Sequence, residues 1–324
     1  MRAITYSKYG SPEVLQLTEV PKPVPKENEV FVKVHATTVN RTDCGFRRPD
    51  YFLVRLVNGL LKPKIKILGT EFAGKVEAIG SKVSTFKVGD EVFGLSTKNF
   101  GAHAEYMTIA ESGSIAIKPD NFSFQEAAAV CDGLMLANSF IKDLDYSKPQ
   151  KILINGASGS IGTAGVQLAK YFGAEVTAVC NTKSMELVRA LGADEVIDYT
   201  QTDFTLVGKD FDYVFDAVGK SSFFKCRKIL KPKGMYASTE FGYLSQNVFL
   251  TLLTPVFGGK RVKFPLPKDS REDILFFKKL IESGKYRAVI DRRYPLSAII
   301  EATKYVETKE KIGNVVIDVL KQGD

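Results

Sequence analysis

The residues Ala157-Ser158-Gly159-Ser160-Ile161-Gly162 form a small-residue turn of the kind that cradles phosphate. An apolar run, KILING at 151–156, precedes the turn, and a helical stretch at 163–173 follows it. A strand, a turn free of bulk and a helix start together aim backbone N–H groups and a positive dipole end at a pyrophosphate. A second run, EVTAVC at 175–180, comes at once, so the spacing predicts a βαβ unit of about 30 residues. Gly156 through Gly162 are therefore assigned to dinucleotide binding, although Ala157 stands where the usual fingerprint has its first glycine. The end of the second run selects the dinucleotide. NAD sites usually place an acidic residue there for the ribose 2′-hydroxyl. This chain has Asn181, Thr182 and Lys183 instead. A lysine with neighbouring amide and hydroxyl groups suits a 2′-phosphate, which a carboxylate would repel. Tyr199, closing VIDY at 196–199 on the same edge, adds a phenolic donor. NADPH is the expected cofactor; a Lys183 merely solvated at a helix start is the plainer alternative.

Those residues need a scaffold to hold them. The 324 residues, 44% hydrophobic and 25% charged, match a globular chain with two domains or one with a large insertion. The formal charge of +8 is spread among acidic residues, so no nucleic-acid partner is expected. Cys44, Cys131, Cys180 and Cys226 lie far apart with no C-x-x-C pair. That argues against a disulfide framework and fits a reducing, cytoplasmic setting. The first residues run into strand-like alternation without the apolar core of a signal peptide. The greasiest stretch, VFLTLLTPVF at 248–257, contains Pro255 and is too short to span a bilayer, so no stable membrane insertion is expected. Residues 1–122 read as short alternating strands of a mostly antiparallel domain, a closed or half-closed barrel. A capping box, Ser123 with Glu126, opens a helix running to Ala137. Strands near 151, 175, 195, 213 and 235 then alternate with helices, as in a doubly wound parallel sheet. Helices at 272–282 and 297–306 and a closing strand at 314–319 complete the chain.

Six segments in order carry a resemblance: GTEFAGKVEAIG at 69–80, FKVGDEVF at 86–93, GAHAEY at 101–106, residues 156–172, LGADEVIDY at 191–199 and FDYVFDAVG at 211–219. Together they resemble the medium-chain dehydrogenase/reductase superfamily along essentially the whole chain, and most of all its zinc-independent quinone oxidoreductase branch. The resemblance implies an α/β fold, a Rossmann-type doubly wound parallel sheet plus a GroES-like β-barrel catalytic domain. It implies a catalytic domain at 1–122, a dinucleotide-binding domain at 123–262, and a segment at 263–324 that returns to the first, with the cofactor in the cleft. Val218 and Asn314 join the cofactor-binding residues on the same ground, and a homodimer is suggested only by the family.

Zinc-dependent members of that superfamily hold catalytic zinc through a Cys, a His and usually another Cys. The matching places here are Asn40 and Thr70, with only Cys131 near the third. One thiol does not make a catalytic zinc site, which takes three protein ligands, and no metal is expected. Without a Lewis acid, the acceptor must spread incoming negative charge by itself. A small-molecule quinone or enone (an α,β-unsaturated carbonyl) does so, and reduction by hydride from NADPH is the expected reaction. An enoyl-thioester reductase and a non-catalytic NADPH-binding redox sensor are the alternatives. By resemblance, Asn40 and Asp43 lie near the nicotinamide. Asn40 would bond a substrate carbonyl and Arg41 would stabilise oxyanion charge, while Asp43 alternatively pairs with Arg41 or caps a turn. Met135 stands where the branch often has a threonine. His35 and His103 are expected to be structural or exposed, and Tyr51 is a candidate proton donor. Residues 46–66 mix apolar residues at 53, 56, 57, 60 and 61 with Arg47, Arg48, Arg55, Lys62, Lys64 and Lys66. They read as a lid over an apolar or acidic ligand, as a packed surface helix, or as a membrane-surface element.

Overall fold

The computed structural model describes residues 1–49, 52–208, 210–265 and 267–320, the Leu53 side chain excepted; Tyr51 lies outside the described residues. The chain begins with β1 (Arg2–Thr5), β2 (Gln16–Glu19) and β3 (Glu29–Val39), then α1 (Arg41–Arg47) and α2 (Phe52–Asn58). Next come β4 (Glu71–Ile79), β5 (Glu91–Leu95), β6 (Tyr106–Ala110), β7 (Ser114–Ile117), α3 (Phe124–Ala128) and α4 (Cys131–Ile141). An alternating stretch follows: β8 (Lys151–Asn155), α5 (Ser160–Tyr171), β9 (Glu175–Cys180), α6 (Met185–Ala190) and β10 (Glu195–Asp198). It continues through β11 (Phe211–Asp216), α7 (Phe223–Cys226), β12 (Leu230–Ser238), α8 (Gln246–Leu253) and β13 (Arg261–Lys263). The chain closes with α9 (Arg271–Glu282), β14 (Ile290–Pro295), α10 (Ile299–Glu307) and β15 (Asn314–Asp318).

Two compact units result, residues 1–132 with 269–324, and residues 133–268. The boundaries fall later than the expected 122/123 and 262/263, and packing explains both shifts. The capping box forms as expected, Glu126 N–H donating to Ser123 Oγ and Ser123 N–H to Glu126 Oε2. The short helix it opens, α3, packs on β3 and β4, and the rings of His35 and Phe124 stack at 4.2 Å, so it belongs with the first sheet. At the other boundary, β13 pairs with β12, and the Phe264 ring lies 5.2 Å from that of Phe241, which holds residues 261–264 to the second sheet.

In the first unit β3 is the spine. It takes β4 along one side, β6 beside its first half and β15 beside its second, all antiparallel. The full order is β14-β15-β3-β4-β5-β7, with only β14 and β15 parallel. Strict alternation along β3 drives Val30, Val32 and Val34 into a core that Ile299, Val315 and Ile317 share. The C-terminal segment therefore completes the hydrophobic interior of the first unit. Burying each such side chain contributes about 1.5–3 kcal/mol, which the N-terminal strands would forgo without it.

The second unit is a six-stranded parallel sheet in the order β10-β9-β8-β11-β12-β13. Residues 152–155, 176–180 and 213–216 are buried throughout, as expected of central strands covered on both faces. β8 pairs with β9 on one side and β11 on the other, so chain order reverses there. Ligands of open α/β sheets bind beyond the carboxyl ends of strands at such a switch point.

Candidate active site

At that point β8 runs into the turn picked out by its small residues. Gly156 has φ +79°, and a Cβ on it would lie 2.4 Å from Val218 Cγ1, so both conformation and space require glycine. The N–H groups of Gly156 and Ala157 each donate to Val179 O at 3.0 Å, tying the turn to β9. Ala157 is fully buried and is not among the residues with positive φ. The departure from the glycine fingerprint is thus free of strain, because the left-handed residue is its neighbour. Gly162, one turn into α5, approaches so closely that a Cβ would sit 2.1 Å from Gly156 O. Gly159 caps α5 without a side-chain bond, and a Cβ there would meet nothing nearer than 3.7 Å. A 12-residue helix thus presents an open start, with first-turn amides and the positive dipole end facing outward. A dinucleotide pyrophosphate fits that cradle.

The buried Asp216, at the end of β11, holds the neighbouring turn. It accepts from Asn155 Nδ2 at 3.0 Å, Ser221 N at 2.8 Å, Val218 N at 3.3 Å and Tyr236 Oη at 3.1 Å. Val218 is thereby fixed against Gly156. This tie escaped the sequence reading, although Asp216 lies within the FDAVG segment.

At the end of β9, Asn181 Oδ1 accepts from Ser184 N at 3.2 Å and closes the turn carrying Thr182 and Lys183, both exposed. Tyr199 N donates to Cys180 O at 3.1 Å, which brings the half-exposed Tyr199 to the same edge. Asp198 was missed. Its carboxylate accepts from the Thr182 hydroxyl and from Thr200 N at 2.9 Å, and these bonds hold it below the usual carboxylate range. A negative charge therefore stands beside the proposed phosphate-binding group.

In the first unit, Asn40 and Asp43 form a capping box at the start of α1. Asp43 N donates to Asn40 Oδ1 at 3.0 Å, and Asn40 N to Asp43 Oδ2 at 3.1 Å. Asp43 also accepts from Gly69 N at 2.9 Å, so the turn-capping alternative is the one found. Asn40 Nδ2 donates to Thr70 Oγ1 at 2.7 Å and lies 3.5 Å from Glu71 Oε2. Its amide is engaged with the protein rather than held out for a ligand. Arg41 is exposed at the first position of α1. His103 is buried, and its Nε2 donates to Thr38 O at 2.8 Å. Half-buried His35 stacks on Phe124. Asn314, on β15, is buried and donates to Val289 O at 3.2 Å.

The centre of this cluster is Glu71, fully buried, which accepts from Asp132 N at 2.8 Å and from the Thr38 hydroxyl. Burial pushes its pKa up, and pushes those of Asp132 and Asp43 up as well. Partly buried Lys311 is pushed down to about 8 by its own desolvation, against the pull of Asp132 and Glu71. Cys131 is completely buried, and desolvation, with the nearby Glu71 and Asp132 carboxyl groups, raises its pKa.

Residues 26–120 match the family described as alcohol dehydrogenase GroES-like domain, and residues 191–317 the family described as zinc-binding dehydrogenase. The 2-methylene-furan-3-one reductase of Solanum lycopersicum is 34% identical, over 98% of this chain and 79% of that protein. This chain belongs to the medium-chain dehydrogenase/reductase superfamily, in its quinone oxidoreductase-like branch. The NADPH-dependent alkenal/one oxidoreductase, chloroplastic, of Arabidopsis thaliana is 32% identical, over 98% of this chain and 79% of that protein. The solved structure of Escherichia coli quinone oxidoreductase complexed with NADPH superposes with a TM-score of 0.83 at 25% identity, covering 98% of this chain and 100% of that one. The superfamily's nicotinamide-dinucleotide fold is thus present. Its zinc is another matter. An amide at Asn40, a hydroxyl at Thr70 and the single thiol of Cys131 do not make the three ligands the ion takes, and among the described residues no three His, Cys, Asp or Glu side chains are arranged to hold a metal.

Proposed function

We propose that the protein reduces a quinone or an α,β-unsaturated carbonyl by hydride transfer from NADPH, without zinc. The observation that carries this reading is the donor set at the superfamily's metal position, an amide hydrogen-bonded to a hydroxyl and a single thiol. With no Lewis acid available, the acceptor must delocalise the arriving charge, which conjugated carbonyls do. The names of the tomato, Arabidopsis and E. coli relatives support the same substrate class. Arg41 is the residue proposed to meet developing oxyanion charge. Asn40 and Asp43 are proposed to position Arg41 through their capping box.

Gly156, Ala157, Ser158, Gly159, Ser160, Ile161, Gly162, Val218 and Asn314 are proposed as cofactor-binding residues. Asn181, Thr182, Lys183 and Tyr199 are proposed to take the 2′-phosphate. All four cysteines are free thiols, as a reducing compartment such as the cytoplasm would keep them.

The test is steady-state oxidation of NADPH and NADH over a panel of quinones, enals and enoyl thioesters, with metal analysis of the same sample. Turnover of quinones or enals with NADPH and no stoichiometric zinc is expected. K183A should raise the KM for NADPH by ~10-fold or more, the worth of a charge-assisted hydrogen bond, and leave NADH unaffected. D198N should lower that KM by removing a neighbouring like charge. A preference for NADH, bound zinc, turnover confined to thioesters, or tight NADPH binding without turnover would each overturn the reading.

A further inference from the structure

Helix α2 and the turn after it present an apolar surface that nothing in the described structure covers. Phe52, Leu56, Val57, Leu60 and Leu61 are between 54% and 89% exposed. From residue 44 to residue 70 the sequence has six lysines and arginines and one acidic residue, Asp50. Arg47 is buried against Glu307, but Arg48, Lys62, Lys64 and Lys66 are exposed around the apolar set.

The element is fixed in place rather than loosely hung. Asn58, buried beneath it, donates to Tyr6 Oη at 3.1 Å and accepts from Ile65 N at 3.0 Å. Tyr9 Oη donates to Gly59 O at 2.6 Å, and the Arg55 guanidinium sits 4.8 Å above the Tyr9 ring. Gly59, with φ +113°, makes the sharp reversal that carries Leu60 and Leu61 outward. A cover that opens and closes would not be anchored from below in this way.

We propose that this face docks the protein peripherally on an anionic lipid bilayer, the leucines entering the interface and the cations meeting the headgroups. Charge decides among the occupants. A second copy placed face to face would set cation against cation. A protein partner would need a pocket for every projecting side chain, whereas a bilayer accepts them without matched shape.

Co-sedimentation of the full chain with mixed phosphatidylglycerol–phosphatidylcholine vesicles, and with phosphatidylcholine alone, tests it. Binding to the anionic vesicles is expected, weakening as salt screens the headgroups. Each cation near such a surface is worth about fivefold in partitioning, so K62E/K64E should reduce binding at least ~25-fold. L60S/L61S, which keeps every charge, should reduce it about tenfold or more. The two variants change different surface groups, so misfolding of one leaves the other decisive. Absence of binding at low salt, or equal binding to neutral vesicles untouched by K62E/K64E, overturns the proposal. So does a concentration-dependent dimer that L60S/L61S abolishes, or a raised KM for a water-soluble quinone in that variant while vesicle binding is intact.

Discussion

Replacing Gly162 by alanine adds one methyl group where the structure has no room for it. The new Cβ would lie 2.1 Å from Gly156 O, 2.7 Å from Ala157 Cα and 2.8 Å from Gly156 C. All three are backbone atoms, so no side chain can rotate out of the way. Ordinary contact requires ~3.5 Å, so α5 and the turn must separate by more than an ångström. Overpacking of this kind costs typically 1–3 kcal/mol, and the rigid neighbours place G162A at about 3. In a unit of this size that lowers Tm by roughly 6–12 °C. A positioning element moved by an ångström also costs about a hundredfold in function, so NADPH affinity should fall by that order. G159A is the matched control. Its Cβ has open space to 3.7 Å, and Gly159 has φ −76°, so its Tm should stay within about 2 °C of wild type. Its methyl group nevertheless stands where an anion would approach the helix start, so NADPH binding should weaken in a folded protein. Thermal melts with and without NADPH, and fluorescence titration of the cofactor, separate the two effects. A G162A protein with unchanged Tm and affinity would refute the steric reasoning. G159A with undiminished NADPH affinity would refute the placement of the pyrophosphate.

Two further predictions concern the buried polar cluster. Glu71 is raised from 4.5 by burial, so the native state holds a proton that the unfolded chain releases, and stability declines as pH rises above that value. Asp132 and Asp43 act in the same direction, while acids lowered by hydrogen bonds, such as Asp198, act below that window. E71Q should flatten the decline seen in urea unfolding across the mildly acid to neutral range, and an unchanged slope would show that Glu71 is ionised throughout. D43A removes the acceptor for two buried amides, Asn40 N and Gly69 N, and should cost about 2–4 kcal/mol in denaturant stability. D43N, which retains one acceptor oxygen, should cost less; equal losses would mean that charge rather than capping is what Asp43 supplies.

The strand, turn and helix of the proposed phosphate cradle were legible because they are contiguous, whereas the ties from Val179, Asp216 and Val218 that hold the turn were not. Strand, turn and helix follow one another between residues 151 and 171, and Gly156 and Gly162 each mark a local need. Asp198 was equally visible in the sequence, yet its meaning depends on β10 lying parallel to β9, which puts its carboxylate on Thr182. The capping box at Ser123 was readable, whereas the unit to which its helix belongs was not, since a ring stack between His35 and Phe124 decides it. Least legible was the cluster around Glu71. Its partners Thr38, Asp43 and Asp132, with Lys311 bearing on it through charge, come from distant parts of the chain, and no periodicity marks a carboxyl group for burial.

The same cluster explains why the metal position reads as a substitution rather than a mere loss. Asn40 and Thr70, at the places where the superfamily's zinc enzymes carry ligands, are hydrogen-bonded to each other at 2.7 Å. Asn40 also caps α1 through its side-chain oxygen, and Thr70 precedes the buried Glu71 that receives the amide of Asp132. Putting a cysteine at position 40 would therefore orphan the Asp43 N–H, at a cost of ~1–3 kcal/mol, before any metal was gained. A histidine at position 70 would have to displace the Asn40 amide within a fully buried space. Each single step toward a metal site destabilises the packing first. The metal-free arrangement proposed above would thus be held by its own hydrogen bonds, between Asn40 and Thr70 and between Asp43 N and Asn40 Oδ1.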